Sequence, residues 1–530
     1  MKKLTLADRE RVQAVIGRNR ERLSAIRGYL DAVPGFAISN GKLIRKPAII
    51  ALVKQKLPME SLATDEAAPD RLDGIRVDVQ TADLETQLAQ LAQLDPASAL
   101  GVEALALAAK KPTYVPLLGN PIDTAVTVTA PFLCHVGPDT GWTALRDFIA
   151  GTKKHMVASI YDFNADYIAE ALISAAKKKG IDIKLTLDDD VRDNEQPIQK
   201  RLKKAMGAAY DCQIITCRAG GRFPTAYHEK VIVRDDSAIW LSSGNWSTRS
   251  QPMIDPIGDP ASAKGMYSTG NREWHVIVAD KSLARVFKAY IEHDYKQAKD
   301  DAGAGLALVA KPAMPDVFVP IESLAAEMLV AAVPIPVAPK SLPSVARPVE
   351  IRPLLSPDNY AKRISELIRS AKKSLYLQYS YITWTAEAAD RDFTEILDYL
   401  GELSSRKDFD LKVIVGGEAA KVRVLAENGW NEAAVRRQSN IHNKGVIADG
   451  RRVLVSSQNW SGDGFLRNRD AGLIIEDAEI ATYYQKIFLD DWKKRARPAL
   501  EETATAILAP PGAPVPRGMV RMTWRDFHRE

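Results

Sequence analysis

The chain has 530 residues, 46% of them hydrophobic and 26% charged, with 72 basic residues against 67 acidic for a formal net charge of +5. This is the composition of an ordinary soluble globular protein with room for two or three cores, and the charge is too mild to announce a nucleic-acid or membrane partner. Three cysteines, Cys134, Cys212 and Cys217, are an odd and sparse set that excludes a disulfide framework and shows no metal-ligating company in the sequence.

The first thirty residues read as a charged amphipathic helix, without the apolar core and cleavage site of a signal peptide. No apolar run approaches the roughly 20 residues that span a bilayer as a helix, so the cytoplasm is the expected location. Next, "GFAISNGKLIRKPAIIALVKQKLP" predicts two strands about an Asn40-Gly41 turn, and "LDGIRVDVQTADL" a further short strand. Residues 1–115 are therefore expected to form a small α+β accessory module.

From residue 120 the chain is written twice. "GPDTGWTALRDFIAGTKKHMVASIYDF" has its counterpart in "SPDNYAKRISELIRSAKKSLYLQYSYI", and in both a Pro-Asp pair precedes a Lys-Lys pair by fifteen positions. Each copy then supplies a helix and a strand, "IAEALISAAKKKGIDIKLTLDDD" and "FTEILDYLGELSSRKDFDLKVIVGG", the alternation of a layered α/β domain. The expected repeats are 120–300 and 349–497. Between them, 301–348 holds eight prolines from Pro312 to Pro348 and reads as a linker; 498–530 reads as a proline-rich tail that wraps or frays.

Each repeat carries the pattern H-x-K-x4-D: His228, Lys230 and Asp235 in the first, His442, Lys444 and Asp449 in the second. An asparagine follows each histidine at seventeen positions, Asn245 and Asn459. One such match has a chance frequency of roughly one in ten thousand per position, so one copy is a modest signal and two at corresponding places are a strong one. Strand alternation puts His228 and Lys230 on one face, and the apolar returns "AIWLSS" and "RVLVSS" predict hairpins that bring Ser243, Asn245, Ser457 and Asn459 back beside the histidines.

These residues resemble the phospholipase D superfamily, over about 120–497. The resemblance implies two αβα sandwich domains packed about a pseudo-twofold axis, with one composite site between them in a monomer. The family's later acidic position is matched by Glu273 in "NREW" and by Asp470 in "NRDAG". The resemblance implies that His228 attacks phosphorus to give a phosphohistidine, and that His442 protonates the leaving alcohol and then activates water. Lys230, Lys444, Asn245 and Asn459 would hold phosphoryl oxygens, with Glu273 backing His228 and Asp470 backing His442. Neither metal nor cofactor is implied.

The expected substrate is a phosphodiester, with a phospholipid head group favoured, peripheral membrane contact allowed for, and nucleic acid as the alternative; a non-catalytic scaffold is the weakest reading because both His-Lys pairs are intact. Candidate lipid-facing aromatics are Tyr227, Trp240, Trp246, Trp384 and Trp460; candidate groove cations are Arg249, Arg272, Arg451, Arg452, Arg467 and Arg469. "SSGNWS" and "SSQNWS" depart from the Asn-x-Asp-x-Arg-Ser continuation associated with cardiolipin synthases, which makes that synthesis the poorer reading. Trp246 and Asn271 are separated by 24 residues where Trp460 and Asn468 are separated by seven, so 247–270 contains an insertion that reads as a loop, a candidate lid or a passive excursion. The run Asp188-Asp189-Asp190 reads as a solvated loop rather than a metal site, and His135, His155, His275, His293 and His528 read as surface or satisfied core.

Overall fold

The computed structural model describes the chain except for residues 85, 89, 91–113, 120–121, 190–194, 218–220, 224, 268, 304–314, 321–334, 343–347, 418, 501–505, 511 and 524–530. Asp190, His528 and much of the proline-rich segment between the repeats thus lie outside the described residues.

Helices α1 (Leu6–Arg18) and α2 (Arg20–Ser24) open the chain. Thr5 and Asp8 form a capping box at α1: Thr5 Oγ1 accepts from Asp8 N at 3.1 Å and the Asp8 carboxylate accepts from Thr5 N at 3.4 Å, satisfying two N–H groups that the helix leaves unpaired. Strands β1 (Tyr29–Ser39) and β2 (Lys42–Val53) form a hairpin about Asn40 and Gly41, both at positive φ. With β3 (Arg71–Leu72) and β4 (Ile75–Thr81) they make a four-stranded sheet. This sheet docks on the second repeat, where Phe36 N donates to the Glu427 carboxylate at 2.9 Å and Arg45 reaches the carbonyls of Ala426 and Trp430.

The first repeat runs β5 (Val126–Val128), β6 (Phe132–Gly137), α3 (Gly141–Ala150), β7 (His155–Ile160), α4 (Asp166–Lys179), β8 (Asp182–Asp188), α5 (Glu195–Met206), β9 (Tyr210–Ile215), β10 (Lys230–Arg234), β11 (Ala238–Ser242), α6 (Pro260–Tyr267), β12 (Glu273–Val278) and α7 (Lys281–Gly303). Strands β13 (Asp316–Pro320) and β14 (Lys340–Leu342) come next. The second repeat runs β15 (Val349–Ser356), α8 (Tyr360–Ser370), β16 (Ser374–Tyr379), α9 (Arg391–Leu403), β17 (Asp410–Val415), α10 (Ala419–Glu427), β18 (Val435–Arg437), β19 (Lys444–Ala448), β20 (Arg452–Ser456), α11 (Gly462–Leu466), β21 (Asp470–Glu476) and α12 (Ala478–Lys494). The chain ends in β22 (Arg497–Pro498), β23 (Ile507–Ala509) and β24 (Met519–Met522).

The duplication holds strand for strand. One sheet has the order β14-β6-β12-β11-β10-β7-β8-β9, and the other, from its opposite edge, β5-β15-β21-β20-β19-β16-β17-β18-β22. The edge strands are exchanged: β5, which precedes the first repeat, pairs with β15, and β14, which precedes the second, pairs with β6. The motif strands are central and buried on both faces, which is why Val231-Ile232-Val233 and Val446-Ile447 read as continuous apolar runs instead of alternating. A shared core joins the sheets' inner faces, with Trp274, Val276, Leu241 and Tyr290 from the first repeat and Val455, Leu473, Tyr484 and Phe488 from the second. Separate cores lie under the outer helices of each repeat. The architecture is two αβα sandwiches packed about a pseudo-twofold axis.

Two expectations for the connecting segments change. The described parts of the linker and of the tail do not simply wrap or fray: β13 pairs with β23 and β24 in a three-stranded sheet, because Val317, Val319 and Leu508 form a small apolar cluster with Leu84 that proline alone does not disrupt. The insertion at 247–270 contains α6 and a small core of its own, Ile254, Ala263 and Tyr267, rather than being loop throughout.

Candidate active site

Each motif hairpin turns at two residues of positive φ, Asp235-Asp236 and Asp449-Gly450, with registers Val231↔Leu241 and Gly445↔Val455. The turn lies at the opposite end of the strand from the histidine. Asp235 accepts from the backbone N–H groups of Lys153, Lys154 and His155 (2.7–3.1 Å), and Asp449 accepts identically from Lys372, Lys373 and Ser374 (2.7–3.1 Å). Burial works against ionisation of both, but these three N–H donors hold each carboxyl below its usual range. Asp235 and Asp449 are thus corrected from catalytic candidates to caps that tie the motif hairpin to the neighbouring strand.

The other ends of the motif strands meet across the interface. His228 N donates to Arg469 O at 2.6 Å and Arg469 N to Ala226 O at 3.1 Å; in the mirror arrangement His442 N donates to Arg272 O at 3.2 Å and Arg272 N to Asn440 O at 2.6 Å. Each histidine is therefore stitched to the segment that carries the other repeat's acidic residue. His228 Nδ1 lies 2.7 Å from Asp470 Oδ1, and His442 Nδ1 lies 2.9 Å from Glu273 Oε1. The expected pairing, Glu273 with His228 and Asp470 with His442, is overturned: the carboxylates are crossed. Ser243 Oγ donates to Glu273 at 2.7 Å and Ser457 Oγ to Asp470 at 2.7 Å, so the serines hold carboxylates. A Cβ on Gly244 would stand 2.6–2.9 Å from the Glu273 carboxylate, so the longer acid requires glycine where the shorter Asp470 tolerates Gln458.

The four-residue centre is buried and unequal. Lys230 and Lys444 are fully buried, and each Nζ donates to the carbonyl of its own histidine, at 2.7 and 2.8 Å. Lys444 Nζ also lies 2.9 Å from His442 Nε2. Burial, then the two lysine charges, hold His228 well below the ordinary imidazole value. Burial and Lys444 also lower His442, but Glu273 opposes them. Glu273 stays below the carboxylate range despite burial, because His442 and Lys444 favour its charge; burial pushes Asp470 up to about 8. Asn245 is fully buried with neither amide atom hydrogen-bonded among the described residues, whereas Asn459 Oδ1 accepts from Ser380 Oγ at 2.7 Å.

Sequence reasoning missed Tyr161, which packs edge-on to His228 (centroids 4.6 Å apart) and under Lys230 Nζ (4.9 Å). The bridges Phe163↔Trp246 and Ile382↔Trp460 align it with Ser380, so comparing the two copies at that position would have found it. The candidate groove arginines are largely consumed internally. Arg272 is buried against Asp139 and Asp491, Arg469 is buried against Asp294 and Asp358, and Arg467 pairs with Asp390 and Asp463. Arg451 pairs with Glu476 and Arg452 with Asp449; Arg249 is half-buried. Tyr227, Trp240, Trp246 and Trp460 are core residues, and Trp384 is half-buried.

Three outlying expectations also change. Asp188 is not solvated: it is buried at the end of β8 and accepts from Tyr227 N at 2.7 Å and from Cys217 Sγ at 3.3 Å, while half-buried Asp189 accepts from Cys217 N at 3.0 Å. Cys217 thus has company, its Sγ and one oxygen of each aspartate lying within 4.8 Å of one another. His135 and His275 stack at 4.7 Å in the core, and among the described residues neither nitrogen of buried His135 has a hydrogen-bond partner, so it does not read as a satisfied core residue. His155 pairs with Asp236 and His293 with the Val115 carbonyl at the surface.

The family model described as cardiolipin synthase, PLD-like domain matches residues 145–295 and again 364–492, together more than half of the chain. Among solved structures the chain is similar to a phosphatidylserine synthase of Haemophilus influenzae Rd KW20, at 13% identity and a TM-score of 0.44 over 69% of this chain and 89% of that one. It is also similar to Nuc of Salmonella typhimurium, a phospholipase D family member (20% identity, TM-score 0.25, 32% and 95% covered), and to NucT of Helicobacter pylori (18%, 0.25, 33% and 97%). No curated protein sequence matches it.

Proposed function

The chain belongs to the family of cardiolipin synthase-type, PLD-like domains, and from that premise we propose that it is a phosphodiesterase that cleaves a phospholipid head group through a phosphohistidine. The observation that carries this reading is the crossed pair His228–Asp470 and His442–Glu273 with Lys230 and Lys444 between them. A phosphodiester needs a nucleophile, an acid for the leaving oxygen and fixed positive charge on the nonbridging oxygens; two carboxylate-backed imidazoles and two lysines supply all three.

His228 is the better nucleophile and His442 the better acid. Glu273 favours a proton on His442, whereas burial and both lysine charges oppose one on His228. In the reaction, His228 Nε2 bonds to phosphorus as the P–O bond to the head group breaks, and His442 gives its proton to the departing oxygen. Neutral His442 then takes a proton from water, whose oxygen displaces His228 from phosphorus. Lys230, Lys444 and the amide of Asn245, which has no partner among the described residues, suit the phosphoryl oxygens.

Consumption of Arg272 and Arg469 in buried ion pairs argues for lipid over nucleic acid, which needs exposed cations along its backbone. Exposed Met253, Ile257 and Met266 on the insertion that follows Asn245 suit an apolar surface. The test is side-by-side turnover, with chelator present, of phosphatidylcholine vesicles and of single- and double-stranded DNA. Choline release that disappears in the His228→Ala, His442→Ala double variant is expected, and ethanol should divert product to phosphatidylethanol. Cleavage of DNA alone overturns the substrate class; choline release undiminished in the double variant overturns the site.

A further inference from the structure

The pseudo-twofold axis relates His228 to His442 and Lys230 to Lys444, but the residue between them differs: Glu229 in the first motif, Asn443 in the second. Both are fully buried on the strand face opposite the histidine and lysine. Asn443 joins a neutral amide chain, donating to Gln378 Oε1 at 3.0 Å, and Gln378 donates to Asp491 at 3.0 Å. Glu229 instead points at Arg469, 3.6 Å from its Nε, where Asp294 and Asp358 already bind the same guanidinium at 2.7 and 2.6 Å.

The charges around the two buried arginines therefore do not balance alike. Arg469 faces three carboxyls. Arg272 faces two, Asp139 and Asp491, and Arg495 reaches Asp491 at 3.3 Å as a second cation. The surplus acid stands behind the segment whose next residue, Asp470, holds His228. Tyr227 hydrogen-bonds Glu229 and Ser159 faces it, His293 faces Asp294 from α7, and Tyr114, Tyr227 and Tyr290 stay neutral because burial raises all three. On the catalytic side, Lys230 and Lys444 are the opposing cations.

We propose that Glu229 is a positioning residue that makes the two histidines chemically unequal, its buried charge acting through Asp470 to decide at what acidity His228 can attack. The inference rests on the reading of His228 as nucleophile. When the His228–Asp470 pair holds two protons, the Asp470 hydroxyl donates to Nδ1 and Nε2 carries hydrogen, leaving no lone pair for phosphorus. Loss of one proton to water leaves an Asp470 carboxylate accepting from Nδ1–H, with the Nε2 lone pair exposed. A negative charge on Glu229 resists that loss, adding to the burial that pushes Asp470 up to about 8. Glu229 itself, raised by burial to about 7, changes charge over the working range. The other half, with Asn443, lacks this brake.

The test is the pH profile of kcat/KM in the full chain together with the imidazole nitrogen resonances of His228 in the absence of substrate. Glu229→Gln should move the acidic limb and the His228 titration to lower pH by about one unit, with the plateau rate within about threefold of the parent. A purely structural residue would lower the plateau and leave the limb in place. If Glu229→Gln does not fold, the parent alone decides: its His228 resonance should carry a second inflection near pH 7 from Glu229. An unmoved limb with an unmoved His228 titration, or a parent titration without that inflection, overturns the inference. A shifted His228 titration in a protein that cleaves no phosphodiester would sink the proposed function and leave this coupling standing.

Discussion

Replacing Glu273 by glutamine separates the two histidines by task. Because the carboxylates are crossed, the loss falls on His442, the proposed acid, and not on His228 in the same repeat as Glu273. The Glu273 carboxylate is buried 2.9 Å from His442 Nδ1; two unit charges centred about 4 Å apart interact by roughly 4 kcal/mol at an effective dielectric constant of about 20. That is about three pKa units, so the protonated fraction of His442 should fall by about 10²–10³ near neutrality. Hydrolysis of a choline ester, whose alkoxide must be protonated as it leaves, should slow by the same factor. A nitrophenyl ester leaves unaided and should slow less than about tenfold. Asp470→Asn should cripple both substrates alike because it disarms the nucleophile. Measured kcat/KM ratios for the two esters in the two variants decide the matter. If Asp470→Asn is the variant rescued by the nitrophenyl ester, the assignment of acid and nucleophile made from the crossed pairs is wrong.

Other expectations follow from the same geometry. His442→Ala should still trap labelled phosphate on His228 from a nitrophenyl ester, and His228→Ala should trap none; label on His442 at the parental rate would exchange the roles. Asp235→Ala and Asp449→Ala should each cost about 1–3 kcal/mol in urea unfolding while leaving kcat within a few-fold, since each strands three backbone donors far from the reacting atoms. Burial lowers His135 to about 3, so the unfolded chain takes up that proton first. The contribution is complete above about pH 7 and is lost as pH falls toward 3, with about 2 kcal/mol gone by pH 5. Urea midpoints at pH 8 and pH 5 for the parent and His135→Gln would show the parent losing more; equal losses refute the account.

The duplicated motifs and their hairpins were legible because they rest on local rules, two-residue parity, turn chemistry and a repeated spacing; that the two halves face each other across one site came only from the family resemblance. Which carboxylate serves which histidine was not legible, because parity states the face a side chain takes and not the chain it meets there. The crossing is made by single bridges, Tyr227↔Arg469 and Arg272↔Ile441, that leave no periodic trace. Asp235 and Asp449 misled for a related reason. A residue repeated at a fixed distance from a catalytic histidine looks catalytic, yet the same distance marks the far end of a five-residue strand, where a carboxylate at positive φ gathers backbone N–H groups. Arg272 and Arg469, adjacent to the acids, read as groove cations until their burial against aspartates of both repeats became visible.

The exchanged edge strands have a consequence for how the chain is made. When the ribosome has finished the first repeat, that sheet still lacks β14, some forty residues further along, and β5 stands unpaired until β15 emerges. The nascent first half therefore presents an open sheet edge of the kind that recruits foreign strands, for as long as synthesis of the connecting segment lasts. The same exchange gives a severed chain a means of repair: a cut between β13 and β14 yields two fragments, each carrying the strand that completes the other, so that nicked molecules should find one another and close as a complementing pair.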